Sequence, residues 1–189
     1  MAGESKESID KIDLNLKYAF ENSINIKMRV IQLVGDIDSD MFKLVDTGIT
    51  ELERYNQKAI TLRINSDGGS VLDALSIIGR IRSSKCRIIA EAYGSCQSAA
   101  TLILAAANKR RISRYCVFMH HESSYELDGR HSTIRKEVQE MERREQVWAE
   151  YMSEFSDKSM EFYLKEGVGV DSYWTPDQLL EFGIVDEVI

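Results

Sequence analysis

The sequence is poor in proline, cysteine and histidine. Its 189 residues include one proline, three cysteines and three histidines. A single proline excludes a proline-rich linker or repeat. Cys86, Cys96 and Cys116 form no CxxC pair and have no histidine at zinc spacing, so we expect no disulfide scaffold, no metal and no other cofactor. Sparse, unpaired thiols are typical of a reducing compartment and predict a cytoplasmic protein.

Positive charge and long apolar runs are also scarce. The chain has 24 lysines and arginines against 31 acidic residues, a net charge of −7. This balance gives no basic surface for nucleic acid or an anionic membrane, and the one basic cluster (Lys109, Arg110 and Arg111) is expected on a solvated loop. No apolar run approaches the roughly 18 residues of a membrane span, and the polar N-terminus lacks an export signal. We therefore predict no nucleic-acid partner and no membrane partner.

What the sequence does contain is a regular alternation of apolar patterns. The chain is 43% hydrophobic and long enough for one domain with a sizeable core. Strands are predicted at 29–37, 59–64, 86–92, 116–120 and 184–189, and helices at 41–52, 71–81, 98–107, 131–156 and from Pro176 to Gly183. Alternating strands and helices predict an α/β fold of βαβ units with a mostly parallel sheet.

Nothing in the sequence suggests a second folded unit. We find no linker, repeat or low-complexity segment. Residues 1–28 are polar and weakly patterned, which predicts an N-terminal arm that is flexible or a short helix. Residues 29–189 are predicted to form the single folded domain.

Small or polar residues follow three of the predicted strands. The loops are NSDGGS (65–70), YGSCQS (93–98) and HHE (120–122). The carboxyl ends of parallel strands meet at one edge of a sheet, so these loops are expected to line one crevice. Ser98 begins an apolar helix, where free N–H groups favour a developing oxyanion, and Gly68 and Gly69 let backbone N–H groups approach it. Together these features predict a catalytic nucleophile in this crevice.

The residue patterns leave several choices open. Ser95 lies in the turn and is expected to be structural, whereas Cys96 remains a possible thiol nucleophile. A general base for Ser98 must come from the pair His120 and His121, because His131 opens a charged helix. Each feature alone could be a helix cap, a turn or a polar strand end.

Four ordered motifs resemble the ClpP caseinolytic peptidases. INSDGGSV is similar to the glycine-rich loop of that family, GSCQSAATLILAAANKRR to its nucleophile motif with the buried helix, and VFMHH to its strand ending in the catalytic histidine. DSYWTPDQLLEFGIVDEVI is similar to the family's C-terminal segment. The resemblance covers about residues 29–189 and implies the ClpP/crotonase-like fold of repeated β-β-α units with a protruding handle helix.

The resemblance also implies an activity and its residues. Ser98 falls on the family's nucleophile, His120 on its general base and Asp171 on its orienting acid, with the backbone N–H groups of Gly69 and Ala99 as the oxyanion hole. It implies a serine endopeptidase that cleaves unfolded polypeptides or peptides. It further implies a homo-oligomer of two stacked heptameric rings, a tetradecamer enclosing the active sites.

The sequence departs from the family pattern at three places. Asp67 replaces the proline of the glycine loop and is expected to point to solvent, and His121-Glu122 replaces a Gln-Pro pair. The positions that form the family's apolar docking pocket for an AAA+ unfoldase are mostly polar or charged. They are Thr61, Arg63, Ser83, Glu91 and Tyr93. We therefore expect a standard unfoldase loop to dock poorly.

Two other functions remain as alternatives. One is a crotonase-type acyl-CoA enzyme, which also uses backbone amides as an oxyanion hole. The other is a non-catalytic or weakly active ClpP-like ring subunit. A complete set of Ser98, His120 and Asp171 argues against both.

Overall fold

An eight-stranded, mostly parallel sheet forms the centre of the fold. The computed structural model describes residues 21, 23–124, 126–167 and 169–189. The strands are β1 (Ile24–Asn25), β2 (Val30–Val34), β3 (Ile60–Ser66), β4 (Ile88–Gln97), β5 (Lys109–Ile112), β6 (Val117–His120), β7 (Ser172–Trp174) and β8 (Glu187–Val188). The helices are α1 (Ser39–Tyr55), α2 (Val71–Ser83), α3 (Ala99–Ala105), α4 (His131–Glu154), α5 (Met160–Glu166) and α6 (Pro176–Glu181). The α/β prediction is confirmed.

The long strand β4 decides the shape of the sheet. The main strand order is β1-β2-β3-β4-β5-β8, and β6 also pairs with β4. The first half of β4 pairs with β5, and its last three residues pair with β6. The β1–β2 and β6–β7 pairs are antiparallel, and the other pairs are parallel. Because β4 changes neighbours, its end and the end of β6 lie side by side.

Helix α3 is the most deeply buried helix of the described chain. Every one of its seven residues is buried. Its sequence AATLILA is apolar on nearly all sides, as a helix surrounded by other elements requires. It lies against β4, α2 and α4. The start of this helix, directly after β4, is therefore held firmly in place.

The sheet begins within the segment that was predicted as an N-terminal arm. Ile24 is only 3% exposed and pairs with Ile31, so this part of the predicted arm belongs to the sheet. Arg29 is also buried and donates to the carbonyl oxygens of Leu52 and Lys58, both at 2.9 Å. These bonds fasten the start of β2 to the end of α1. Residues 1–20 and 22 of the predicted arm lie outside the described residues.

The basic cluster at residues 109–111 was wrongly placed on a loop. It forms β5, where Arg110 pairs with Asp186 at 2.6 Å and Arg111 with Glu187 at 3.0 Å. Asp186 directly precedes β8, and Glu187 is its first residue. Local sequence patterns do not connect β8 to β5, so this pairing could not be predicted. Elements α5 and β7 were not predicted, because both are too short for a periodic signal. Among the described helices, none is long and apolar enough to cross a membrane.

Candidate active site

Ser98 lies at the sharp turn between β4 and α3. Its backbone has φ 51° and ψ −126°. A positive φ is uncommon for a residue with a side chain and is strained outside the usual left-handed region. Such strain persists only where surrounding contacts fix the backbone. The turn therefore sets the direction in which the Ser98 hydroxyl projects.

Three contacts hold this turn in place. The Ser98 N–H donates to the carbonyl oxygen of Met119 at 2.9 Å, which ties the turn to β6. The Ser98 carbonyl oxygen accepts from the Thr101 hydroxyl at 2.7 Å, at the start of α3. Gly68 packs so closely that a Cβ on it would lie 2.7 Å from the Ser98 Cβ. Only glycine fits at position 68, which also has φ 107°.

His121 is the histidine that contacts Ser98. Its Nε2 lies 2.8 Å from the Ser98 Oγ, a normal hydrogen-bond distance. Its Nδ1 lies 3.4 Å from the Asp171 Oδ1. The imidazole therefore connects the hydroxyl to a carboxylate, in the order that general-base activation of a serine requires.

The β6–β7 ladder brings Asp171 to His121. In this antiparallel pair, Met119 faces Tyr173 and His120 faces Ser172. Continuing the register by one residue sets His121 opposite Asp171. The two residues are 50 positions apart in sequence, and the ladder determines that they meet. Their side chains are 27% and 54% exposed, so the pair lies at the solvent-facing edge of the site.

His120, predicted as the general base, is not at Ser98. It is 2% exposed and stacks on Trp148, with ring centroids 4.1 Å apart and planes within 3°. Its Nε2 lies 3.1 Å from the Tyr163 carbonyl oxygen, which fixes this nitrogen as the donor. Burial lowers the pKa of His120 to about 4. The structure thus places His121, and not the predicted His120, against Ser98.

Strand alternation explains this correction. Successive side chains of a strand point to opposite faces. Phe118 and His120 both contact the Trp174 ring, so they lie on one face of β6. His121 follows on the opposite face, where Ser98 lies. The motif VFMHH does not by itself show which face turns to the serine.

The competing nucleophiles are placed elsewhere. Cys96 is fully buried, and burial raises its pKa well above the usual thiol range, so the thiol stays protonated. The Ser95 hydroxyl donates to the Asp67 carboxylate, which also accepts from the Gln97 amide at 2.8 Å. Asp67 is exposed, as predicted. This side-chain group ties the end of β4 to the Asp67 loop, and in the described residues no histidine contacts the Ser95 hydroxyl.

Gly69 presents its backbone to the cleft at Ser98. The Ile37 N–H donates to the Gly68 oxygen at 2.8 Å, and the Ser70 N–H donates to the Ile37 oxygen at 2.7 Å. In this parallel bridge, Ile37 bonds to the oxygen of Gly68 and to the N–H of Ser70. The N–H of Gly69 itself takes no part in the bridge and is directed away from Ile37. A Cβ at Gly69 would lie 2.4 Å from the Ile37 oxygen, so a side chain would displace the loop.

Ala99 directly follows Ser98 and has a backbone N–H at the start of α3. It is the first residue of α3, where an N–H has no acceptor within the helix. The glycine loop packs closely against this N–H, since a Cβ on Gly68 would lie 3.1 Å from the Ala99 nitrogen. Gly69 and Ser98 line a common cleft of about 270 Å³. Both predicted oxyanion residues therefore lie beside the serine.

Glu122 has a structural role beside the site that the sequence did not reveal. Its carboxylate accepts from the Gly169 N–H at 3.0 Å, and its own N–H donates to the Gly167 oxygen at 3.1 Å. These bonds fix the loop that leads to Asp171. The departure from the family's Gln-Pro pair thus has a local structural role. In the described ranges, no three acidic, histidine or cysteine side chains are grouped to hold a metal ion.

Comparison with known proteins identifies the family. The family model described as "Clp protease" matches residues 18–189. The ATP-dependent Clp protease proteolytic subunit of Carsonella ruddii (strain PV) is 31% identical over 169 residues, which cover 87% of this chain and 85% of that protein. The range matched by the family model contains the sheet, the Ser98 turn, His121 and Asp171. The chain therefore belongs to the Clp protease family of peptidases.

Proposed function

We propose that this peptidase is a serine endopeptidase with Ser98 as nucleophile, His121 as general base and Asp171 as the residue that orients His121. The observation that carries the proposal is the 2.8 Å contact between the Ser98 Oγ and the His121 Nε2. A serine hydroxyl is a weak nucleophile until a base accepts its proton. A crotonase-type enzyme needs no such pair, and a non-catalytic ring subunit would have no use for it.

Peptide cleavage at this site follows acyl-enzyme chemistry. The Ser98 Oγ attacks the peptide carbonyl carbon while its proton passes to the His121 Nε2. The C–N bond then breaks, and the departing amine takes that proton from His121. Water next attacks the acyl-enzyme and gives a proton to His121, which returns it to Ser98 as the C–O bond breaks. Asp171 keeps the imidazole in the required tautomer and stabilises its protonated form.

The backbone N–H groups of Gly69 and Ala99 are proposed to stabilise the tetrahedral intermediates. Fixed donors are most effective where negative charge develops on the carbonyl oxygen. Losing one such donor costs on the order of 10²–10³ in rate in other enzymes. The rigid turn at Ser98 and the bridge at Gly69 hold both donors before substrate binds. Neither donor depends on a side chain.

Labelling by a fluorophosphonate tests the proposed function. We expect one equivalent of label per chain, attached to Ser98, together with cleavage of a fluorogenic peptide and of an unfolded protein. Ser98→Ala should remove both labelling and cleavage, whereas Ser95→Ala should retain labelling at Ser98. Cleavage that persists in Ser98→Ala, or label on Cys96, contradicts the assignment.

The proposal includes assembly into two stacked heptameric rings. The support within the chain is α4, a 24-residue helix of which only Ala149 and Met152 are fully buried. Such a helix leaves apolar side chains, for example Val138 at 39% exposure, available to a neighbouring copy. Native mass spectrometry should give fourteen times the chain mass, and a monomer at micromolar concentration would contradict the chamber.

Three of the predicted docking positions, Arg63, Glu91 and Tyr93, form one polar cluster on the sheet. The Glu91 carboxylate accepts from the Arg63 guanidinium at 3.4 Å, from Arg111 at 3.2 Å and from the Tyr93 hydroxyl at 3.3 Å. An apolar loop that covered these groups would have to desolvate them without offering partners. We therefore propose that a standard AAA+ unfoldase loop docks poorly. Tight ATP-dependent pull-down by a ClpX- or ClpA-type unfoldase would contradict this.

A further inference from the structure

A narrow cavity opens beside Ser98, on the other side of His121 from Gly69. It lies between the end of β6 and helices α4 and α5 and measures about 40 Å³. Ser98, Ala99 and His121 line its mouth. A side chain next to a carbonyl held at Ser98 would therefore enter this cavity. Its chemistry decides which residue can precede the cleaved bond.

The walls of the cavity are largely apolar and rigid. Trp148 and Tyr163 line it and pack edge to face, with ring centroids 5.8 Å apart. Val71 and Leu164 complete the apolar lining. Packed aromatic walls of this kind favour a slim, unbranched hydrocarbon chain and can also attract a cation.

A carboxylate without a partner lies in the same wall. Glu145 precedes Trp148 by three residues on α4, so both side chains lie on one face of the helix. Glu145 is partly buried, and within the described residues it has no hydrogen bond or ion pair. Burial, with the nearby charges of Glu122 and Glu142, raises its pKa. A partly buried carboxylate of this kind gains most from a cation that arrives with a ligand.

His120 forms part of the rigid wall of the cavity. It is 2% exposed, and its Nε2–H donates to the Tyr163 oxygen. Its Nδ1 has no hydrogen-bond partner in the described part of the chain, but this atom is itself buried, so a group bound in the cavity does not reach it. Glu145 is therefore the acceptor that the cavity offers to a ligand.

The surrounding charges leave the Glu145 carboxylate free. The Glu122 carboxylate is engaged by the Gly169 N–H. Arg144 faces the neighbouring cleft and is paired with Glu140 at 3.1 Å. No lysine or arginine lines the cavity among the residues described. A positively charged ligand group would therefore meet Glu145 without competition from a lysine or an arginine.

We infer that this cavity binds the side chain of a lysine on the acyl side of the cleaved bond, with Glu145 as the residue that determines the specificity. The inference rests on the proposed function, because Ser98 must be the nucleophile. The methylene groups lie along the apolar walls, and the ammonium group donates to the Glu145 carboxylate. Lysine suits the site because its ammonium has three donors on a slim stem.

The test compares lysine with norleucine, which has the same hydrocarbon length but no charge. Two otherwise identical fluorogenic peptides carry one or the other residue before the cleaved bond. We expect the wild-type protein to cleave the lysine peptide with a higher kcat/KM. Glu145→Gln should lower the lysine-to-norleucine ratio by about tenfold, because a charged hydrogen bond at a partly solvated site is lost. The effect should fall on the lysine peptide alone.

Glu150→Gln is the matched control, because Glu150 is an exposed carboxylate on the same helix and does not line the cavity. The lysine-to-norleucine ratio of kcat/KM for Glu150→Gln should equal that of the wild type. A wild-type preference for norleucine, or a ratio that Glu145→Gln leaves unchanged, overturns the inference. Circular dichroism of each variant shows that the fold is retained.

A binding measurement separates failure of the inference from failure of the proposed function. Titration of Ser98→Ala protein with the two peptides, followed by tryptophan fluorescence or calorimetry, requires no catalysis. If neither peptide is cleaved but lysine binds preferentially and Glu145→Gln removes that preference, the proposed function fails and the pocket assignment stands. If cleavage depends on Ser98 but neither assay shows a lysine preference, the pocket assignment fails alone.

Discussion

Replacing His121 with alanine is expected to lower kcat/KM for peptide cleavage by about 10⁴–10⁶-fold. The imidazole Nε2 lies 2.8 Å from the Ser98 Oγ, and alanine leaves the hydroxyl without a base. Ground-state binding should change little, because the lost interaction acts on the reacting hydroxyl. Steady-state kinetics with a fluorogenic peptide should therefore show the loss mainly in kcat.

His120→Gln is the matched comparison for this prediction. The glutamine amide can still donate to the Tyr163 oxygen, whereas the ring stacking on Trp148 is lost. We expect kcat to stay within about tenfold of the wild type and stability to fall by about 0.5–1.5 kcal/mol. Nearly complete inactivation by His120→Gln with little effect of His121→Ala would restore the original assignment of the base.

Asp171→Asn is expected to lower kcat by about 10²–10³-fold. In other serine peptidases, an asparagine at a buried position of this kind costs about 10⁴-fold, because the amide favours the wrong histidine tautomer. Here the Asp171 side chain is 54% exposed, and its Oδ1 is 3.4 Å from the His121 Nδ1. Water can replace part of its interaction, so the expected loss is smaller.

The control for Asp171 is Asp177→Asn on α6. Asp177 is 73% exposed and pairs only loosely with Arg114, at 3.5 Å. Single-turnover kinetics of both variants isolate the chemical step from product release. An Asp171→Asn enzyme within a factor of three of the wild type would show that His121 is oriented by other contacts.

Local sequence patterns determined much of the fold. The helices α1, α2, α3 and α4 and the main strands were predictable, because apolar residues recur at the period of each element and glycines mark the turns. The glycine loop and the small residues around Ser98 predicted a tight approach of backbone to a nucleophile. The structure brings these segments together at one edge of the sheet, as parallel strands require.

The short and non-local elements could not be predicted in this way. Strand β5 contains three basic residues in a row, which is typical of a charged loop. Its charges are satisfied by Asp186 and Glu187, which lie 76 residues later in the chain and could not be predicted as partners. Strand β7 has three residues and forms only because β6 offers an antiparallel edge. Strand β1 has only two residues, and it forms because β2 offers an antiparallel edge, so the sheet begins at residue 24.

The sequence by itself limited any histidine base for Ser98 to two adjacent residues, because His131 lies on the charged helix. Only the tertiary structure decided which of the two contacts Ser98. Adjacent residues of an extended chain point to opposite faces, so a shift of one position exchanges the core for the active site. His120 packs against Trp148 in the core, and His121 lies between Ser98 and Asp171. The faces are set by helices α4 and α5 packing on one side of β6, a long-range arrangement that the local sequence around the two histidines does not contain.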